Sequence, residues 1–162
     1  MDLFWIDRSL AIASRPRGGD WLDDEMADFR RQGVDLDVSC LTPSEETELA
    51  LTGEMASAAR HGIAFLRVVM EDRGVPLSTA AVAEVVDRIN DQRALRGGVA
   101  VHCRQGLGRA PLIVAATLVR TGMLPDVAWT LIAERRGQTV PDTDEQREWI
   151  QAVADHRSAG VG

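Results

Sequence analysis

Val99-Ala-Val-His-Cys-Arg-Gln-Gly-Leu-Gly-Arg-Ala-Pro111 is the stretch of the chain that decides its fold. Its residue types predict a short apolar strand, then a loop with glycines at 106 and 108, then the start of an apolar helix. Glycines allow successive backbone N–H groups to turn inward, and the helix that follows adds the positive end of its dipole. The stretch therefore predicts an anion-binding loop over residues 103–109, called the cradle below.

Two side chains at the ends of the cradle indicate what chemistry it performs. Cys103 begins the loop, where positive potential favours a thiolate, the reactive form of cysteine. Arg109 closes the loop, and its planar guanidinium matches two oxygens of a phosphate group. The local chemistry predicts attack by a thiolate on a bound oxyanion, for which phosphate is the best fit.

Composition restricts the class of protein. The 162 residues suffice for one domain with its own core, and the formal net charge of −7 argues against binding to nucleic acid or a membrane surface. Two cysteines and three scattered histidines form no disulfide framework and no metal-binding pattern, so we expect no metal site and a cytoplasmic setting. We also expect no signal peptide and no membrane span, because no long apolar run occurs.

Apolar patterns on both sides of the cradle predict strands that alternate with helices. We expect strands over residues 3–6, 10–13, 34–41, 63–70 and 99–102. We expect helices over residues 20–31, 43–60, 79–96, 109–121 and 126–136, and a last helix that opens at 141–146. In detail, Asp20 is predicted to be an N-cap, strand 34–41 to have one polar face, and strand 63–70 to be buried.

This alternation predicts an α/β fold, with a central, mostly parallel sheet flanked by helices. A single domain is expected over residues 1–157, followed by a frayed tail over 158–162. The cradle would then lie at the carboxyl end of a strand, where open α/β sheets bind their ligands.

His102-Cys-Arg-Gln-Gly-Leu-Gly-Arg109 matches the pattern His-Cys-x-x-Gly-x-x-Arg, and on these residues the sequence resembles the cysteine-dependent protein tyrosine and dual-specificity phosphatases. The short length and the form of the loop resemble the compact bacterial members. Ile63–Pro76 also resembles the family's strand and acid loop, in which Asp72 lies 31 positions before Cys103. The resemblance implies a protein tyrosine phosphatase-like fold. It implies hydrolysis of phosphomonoesters on proteins or small molecules through a phosphocysteine, without metal or cofactor.

The resemblance also implies the catalytic roles. Cys103 is the nucleophile, and Arg109 clamps the phosphate oxygens as charge develops on them. Asp72 is the general acid that protonates the leaving oxygen and later accepts a proton from water. Glu71 and Asp87 remain rival candidates for that role.

Other residues are implied to support these three. Backbone N–H groups of the cradle would bind phosphate, from Arg104, Gln105, Gly106, Leu107, Gly108 and Arg109. His102 would support the loop and influence the thiolate. Gln146 either positions the hydrolytic water or is an exposed amide at the start of a helix. Cys40 either traps oxidised Cys103 as a disulfide or is a buried core residue.

Ala110 departs from the family pattern. The family usually has Ser or Thr there, whose hydroxyl donates to the cysteine sulfur and stabilises the thiolate as it leaves the phosphocysteine. Alanine lacks the donor, so we expect a slow second step. A phospho-binding pseudophosphatase is therefore the alternative function, and another thiolate enzyme, such as an arsenate reductase or a rhodanese-like sulfur carrier, is a third. The sequence leaves the substrate, its phosphotyrosine or phosphoserine/threonine preference and the oligomeric state open.

Overall fold

The computed structural model describes residues 2–159, which form one α/β domain around a five-stranded sheet. The strands are β1 (Leu3–Trp5), β2 (Leu10–Ala13), β3 (Val34–Ser39), β4 (Ala64–Arg67) and β5 (Gly98–His102). They lie in the order β1-β2-β5-β3-β4, with β1 antiparallel to β2 and the other neighbours parallel. The predicted fold, a mostly parallel sheet in an α/β domain, is confirmed.

Helices cover both faces of the sheet. They are α1 (Leu22–Arg31), α2 (Pro43–Glu48), α3 (Glu54–Arg60), α4 (Thr79–Ala94), α5 (Arg109–Arg120), α6 (Pro125–Arg136) and α7 (Asp144–Ala159). One core packs α1 and α3 against one face, and a larger core packs α4 to α7 against the other. No helix in the described part of the chain has the length and apolar character needed to cross a membrane.

The middle strand and the helix after it position the cradle. All of β5 is buried between two parallel neighbours, and α5 is buried from Arg109 to Val119. The loop that joins β5 to α5 therefore opens at the carboxyl edge of the sheet, where the strand pattern predicted the cradle.

Two predicted helices differ from the structure. The expected helix over 43–60 is divided into α2 and α3, because Leu51 is fully buried and Ala50 takes a positive φ of 55° between them. The carbonyl of Ala50 accepts a hydrogen bond from the Gly19 N–H at 2.9 Å, which fixes this break to a neighbouring loop. Asp20 lies inside a 3-10 turn over Gly19–Trp21 and does not cap α1.

Two predicted strands also need correction. The strand predicted over 34–41 ends at Ser39 in β3, and Asp37 and Ser39 of its polar face are fully buried. The strand expected to be buried over 63–70 is the shorter β4, which lies at the edge of the sheet and is partly exposed. Of the tail expected to fray, residues 158 and 159 continue α7, and residues 160–162 lie outside the described residues.

Candidate active site

The cradle curls around the sulfur of Cys103. Gly106 has a left-handed φ of 72°, and its N–H donates to Cys103 Sγ at 3.1 Å. The first turn of α5 contains no acidic residue, and no side chain caps the helix. Its positive end therefore faces the loop without a competing anion from its own first turn. The structure thus brings a thiol, an inward amide and a helix N-terminus together.

Arg109 lies beneath the cradle and is 1% exposed. Its Nη1 and Nη2 donate to the two carboxylate oxygens of Glu45 at 2.6 and 2.8 Å, and Nη1 also donates to the carbonyl of Met70 at 3.0 Å. The Nε atom is buried and has no partner among the described residues. A buried donor without a partner is costly. The Nε–H of the Arg109 guanidinium is therefore the N–H that is free to bind a ligand.

Glu45 is a functional residue that the sequence reasoning missed. It is the third residue of α2 and completes a capping box with Thr42, whose N–H donates to Glu45 Oε2 at 3.0 Å. The hydrogen bond from Arg109 lowers the pKa of Glu45 to about 2, so the carboxylate stays charged. The Thr-x-x-Glu spacing indicates the helix start, but no local pattern connects it to an arginine 64 residues away.

Asp72 lies at the edge of this arrangement. Its Oδ1 is 3.3 Å from Arg109 Nη2, and its side chain is 69% exposed. Of the rival acids, Asp87 pairs with Arg120 on the surface of α4 and α5, at 3.1 Å, and Glu71 is exposed. Of the three predicted acids, all of which lie within the described residues, Asp72 is the one that forms an ion pair with Arg109.

Gln146 is fully buried, so the interpretation as an exposed amide is wrong. Its Nε2 donates to the carbonyl of Gly74 at 3.0 Å, while its Oε1 has no partner among the described residues. Gly74 belongs to the segment Glu71–Pro76, called the acid loop below. Gln146 therefore ties the acid loop to the start of α7.

His102 points to the opposite face of the sheet, into a buried cluster of charged groups. Its Nε2 lies 3.0 Å from Glu54 Oε1 and 3.8 Å from Asp37 Oδ1. Burial by itself lowers the pKa of His102. The two carboxyl groups raise it by more than burial lowers it, so the pKa of His102 increases from 6.5 to about 9. Burial raises the pKa of Asp37 to about 8. At neutral pH the cluster therefore holds an imidazolium one residue before Cys103.

The same three side chains are the group of described residues best suited to hold a metal ion, since their donor atoms all lie within 4.8 Å of one another. The close contact between His102 and Glu54 has the geometry of an ion pair, and this pairing already balances one charge. The expectation that no metal is required remains a prediction.

Cys40 follows β3 directly beside the cradle. Its N–H donates to the His102 carbonyl at 2.9 Å, and its side chain lies in the same core cluster as Cys103. Burial raises the pKa of Cys40 well above its usual value, and the neighbouring Cys103 adds to this effect. Both thiols are free.

Two further arginines contact the region differently. Arg104 turns toward α2, where its Nη1 donates to Glu48 at 3.0 Å. Arg136, at the end of α6, donates from Nε to the Gly106 carbonyl at 3.1 Å and lies 4.0 Å above the ring of Phe4. Arg136 therefore holds an outward carbonyl of the cradle, which the sequence reasoning did not foresee.

The remaining predicted cradle positions differ in their exposure, and their predicted contribution is the backbone N–H group. Gln105 is exposed, Leu107 is partly exposed, and Gly108 is buried. Ala110 is fully buried in the first turn of α5, where its methyl group offers no donor to a sulfur atom.

Comparisons with known proteins agree with this geometry. A family model described as "Polymorphic toxin system, DSP-PTPase phosphatase" matches residues 13–123. None of the curated proteins compared with the chain matches it.

Three solved structures are similar in fold. PTPMT1 in complex with PI(5)P has a TM-score of 0.82 and 21% identity, over 97% of each chain. A kinase-associated phosphatase whose catalytic cysteine is replaced by serine has a TM-score of 0.81 and 17% identity, over 93% of this chain and 88% of that one. Human DUSP28, in a form carrying one substitution, has a TM-score of 0.72 and 20% identity, over 98% of this chain and 97% of that one.

Proposed function

Because the chain belongs to the DSP-PTPase phosphatase family of polymorphic toxin systems, we propose that it hydrolyses phosphomonoesters through a phosphocysteine on Cys103. The observation that carries this proposal is the buried guanidinium of Arg109, held by Glu45 with an N–H unpaired, at the end of a loop whose amide faces the sulfur. A dianionic phosphate group would satisfy that donor and the amides of the cradle together.

The first step transfers the phosphoryl group to sulfur. The backbone N–H groups of residues 104–109 and the guanidinium of Arg109 bind the phosphate oxygens. The Cys103 thiolate attacks phosphorus, and the P–O bond to the substrate breaks with its electron pair on oxygen. Asp72, 3.3 Å from Arg109 and otherwise exposed, donates a proton to that oxygen.

The second step returns the enzyme to its starting state. Water attacks phosphorus, its proton passes to the carboxylate of Asp72, and the P–S bond breaks to release inorganic phosphate and the thiolate. Ala110 provides no donor to the departing sulfur, so the N–H of Gly106, at 3.1 Å, is the donor that remains. We therefore expect the second step to limit turnover.

The substrate is a phosphorylated protein, carrying phosphotyrosine or phosphoserine/threonine, or a small phosphomonoester. An inositol phospholipid, the class bound by PTPMT1, fits less well because the chain has no lysine and Arg104 is paired with Glu48. The net charge of −7 argues against nucleic-acid and membrane-surface partners. The two free cysteines favour the reducing cytoplasm as the setting.

Ala110 also favours a second candidate, a phospho-binding pseudophosphatase. Turnover of an aryl phosphate by the wild type and by Cys103→Ser, together with vanadate binding to both, separates the two functions. We expect turnover that Cys103→Ser abolishes. Equal, negligible turnover with retained vanadate binding would identify the protein as a binder.

The proposed function includes a redox role for Cys40. The neighbouring pair Ser39 and His102 is in register between β3 and β5, and the Cys40 and Cys103 side chains share one core cluster. Hydrogen peroxide would oxidise the Cys103 thiolate to a sulfenic acid, and the Cys40 thiol would then displace water to form the disulfide. Peptide mapping after mild oxidation should find the two cysteines linked, and finding only sulfenic or sulfinic Cys103 would exclude this role.

A further inference from the structure

The backbone of Gly108 is covered by a carboxylate that the mechanism above does not use. A Cβ atom added at Gly108 would lie 2.4 Å from Asp142 Oδ2, closer than any side chain allows. The φ of Gly108 is −115°, so its backbone conformation does not itself require glycine. A side chain at position 108 would have to displace the carboxylate of Asp142, which lies directly against the backbone of the cradle.

Asp142 is free to bind something at this position. Its residue is exposed, and its carboxylate has no hydrogen bond or ion pair to the residues that the structure describes. Asp142 lies two residues before the start of α7, and its side chain contacts the cradle at Gly108. An unpaired carboxylate beside a phosphate site accepts hydrogen bonds and therefore has water as its natural partner.

Gln146, for which positioning the hydrolytic water is one of two predicted roles, has its amide nitrogen committed elsewhere, and its Oε1 is buried without a partner among the described residues. Its Nε2 would lie 3.2 Å from the same added Cβ of Gly108, so both side chains reach the same part of the loop. That Nε2 donates to Gly74, and the side chain is fully buried. Of the two groups at this part of the cradle, Asp142 is the exposed one with free acceptors.

We propose that Asp142 holds and orients the water that hydrolyses the phosphocysteine, an inference that rests on the proposed function. The water donates one hydrogen bond to the Asp142 carboxylate, and its oxygen attacks phosphorus opposite the sulfur. The P–S bond breaks with its electron pair on Cys103, and the other proton of the water passes to Asp72. Asp142 is thereby a catalytic residue of the second step alone.

Orientation of the water by Asp142 is important for the rate because position 110 has no hydroxyl group. Without that donor the thiolate is a poorer leaving group, so hydrolysis of the phosphocysteine limits turnover. Fixing the attacking water in line lowers the same barrier from the other side of phosphorus.

The experiment measures the lifetime of the phosphoenzyme after rapid mixing with an aryl phosphate. Wild type is compared with Asp142→Ala and Asp142→Asn. Asp144→Ala is the matched control, because it removes the same charge from an exposed acid two residues away. The burst that reports the first step should be unchanged in all four proteins.

We expect Asp142→Ala to lengthen the phosphoenzyme lifetime by about tenfold or more, the effect of losing a hydrogen bond to a charged group. Asp142→Asn should fall between Ala and wild type, because its amide oxygen still accepts from water. Asp144→Ala should behave as wild type.

Two results would overturn the inference while leaving the proposed function intact. One is an Asp142→Ala phosphoenzyme that breaks down as fast as wild type, even if its melting temperature falls, because Asp142 would then only stabilise the start of α5. The other is an equal effect of Asp144→Ala, which would show that loss of a negative charge near the cradle explains the longer lifetime. If the wild type forms no phosphoenzyme that depends on Cys103, the proposed function fails, and the inference fails with it.

Discussion

The cradle and the acid loop meet at Arg109, but they are held in place by different kinds of contact. The cradle is continuous with β5 and α5, and Cys103, Gly106, Gly108 and Arg109 are all buried. The acid loop is exposed from Glu71 to Arg73 and is anchored at its end by Val75, which packs against the core. Its polar contacts run from Asp72 to Arg109 at 3.3 Å and from Gln146 to Gly74 at 3.0 Å.

This difference separates binding from proton delivery. The phosphate site belongs to the core of the protein, so it is formed whenever the domain is folded. The proton donor lies on the exposed half of a loop, where the ion pair with Arg109 positions its side chain. Changes in the cradle should therefore remove the activity, whereas changes in the acid loop should alter it in a way that depends on the substrate.

The largest expected effect comes from the centre of the cradle. Arg109→Lys replaces the fork that Glu45 holds by a point charge, and we expect kcat/KM on an aryl phosphate to fall on the order of 10³-fold. Arg104→Lys, in the same loop but partly exposed and paired with Glu48, should change kcat/KM by no more than about threefold. Similar losses in both variants would show that the buried fork has no special role.

The acid loop should give a smaller, substrate-dependent effect. Asp72→Asn cannot protonate the leaving oxygen, so we expect kcat/KM to fall about 10²-fold for an alkyl phosphate and little for a nitrophenyl phosphate. Asp87→Asn, remote from the cradle, is the control. An equal loss on both substrates would mean that Asp72 is not the acid.

Position 110 should act on the second step. Ala110→Ser introduces the missing donor to the sulfur, and we expect phosphoenzyme hydrolysis and steady-state turnover to rise by about tenfold. Stopped-flow and steady-state assays of the same preparation check this. A folded variant whose turnover is unchanged or lower would contradict the explanation of slow turnover.

The smallest effect concerns stability and the face of the sheet behind the cradle. The pKa of His102 is raised to about 9 in the folded protein from an ordinary value of 6.5, because Glu54 and Asp37 outweigh the effect of burial. Its stabilising contribution is therefore complete below about pH 6.5 and is lost as the pH rises through 9. Burial raises the pKa of Asp37 to about 8, so its ionisation also lowers the stability of the folded protein as the pH rises from about 4 to 8.

The melting temperature, measured by calorimetry in a buffer series, should thus fall as the pH rises from about 4 to 9, with both groups contributing between about 6.5 and 8. His102→Gln should flatten this slope, and substitution of the exposed His156 by Gln should preserve it. An unchanged slope in His102→Gln would place the pH dependence elsewhere.

The same comparison explains what the sequence could predict. The cradle is contiguous in sequence, so eight residues, 102–109, specify the strand end, the glycine turn and the arginine together. The contacts that hold it come from far along the chain. The cap at Thr42 predicts the start of α2, yet nothing local predicts that Glu45 also binds Arg109.

The missed parts of the fold have a similar cause. Alternation over 34–41 predicts one polar face but not what surrounds it, and Asp37 on that face lies buried beside His102 and Glu54. The helix predicted over 43–60 is interrupted because burying Leu51 outweighs the helix propensity of its neighbours. Both outcomes depend on tertiary contacts that a local pattern does not contain.

The most direct test of the central claim is to quench the wild-type protein during turnover of an aryl phosphate and to map the phosphate by mass spectrometry. The account predicts a phosphate on the peptide that contains Cys103, and none in Cys103→Ser. Turnover without that label, or equal turnover by the serine variant, would contradict it.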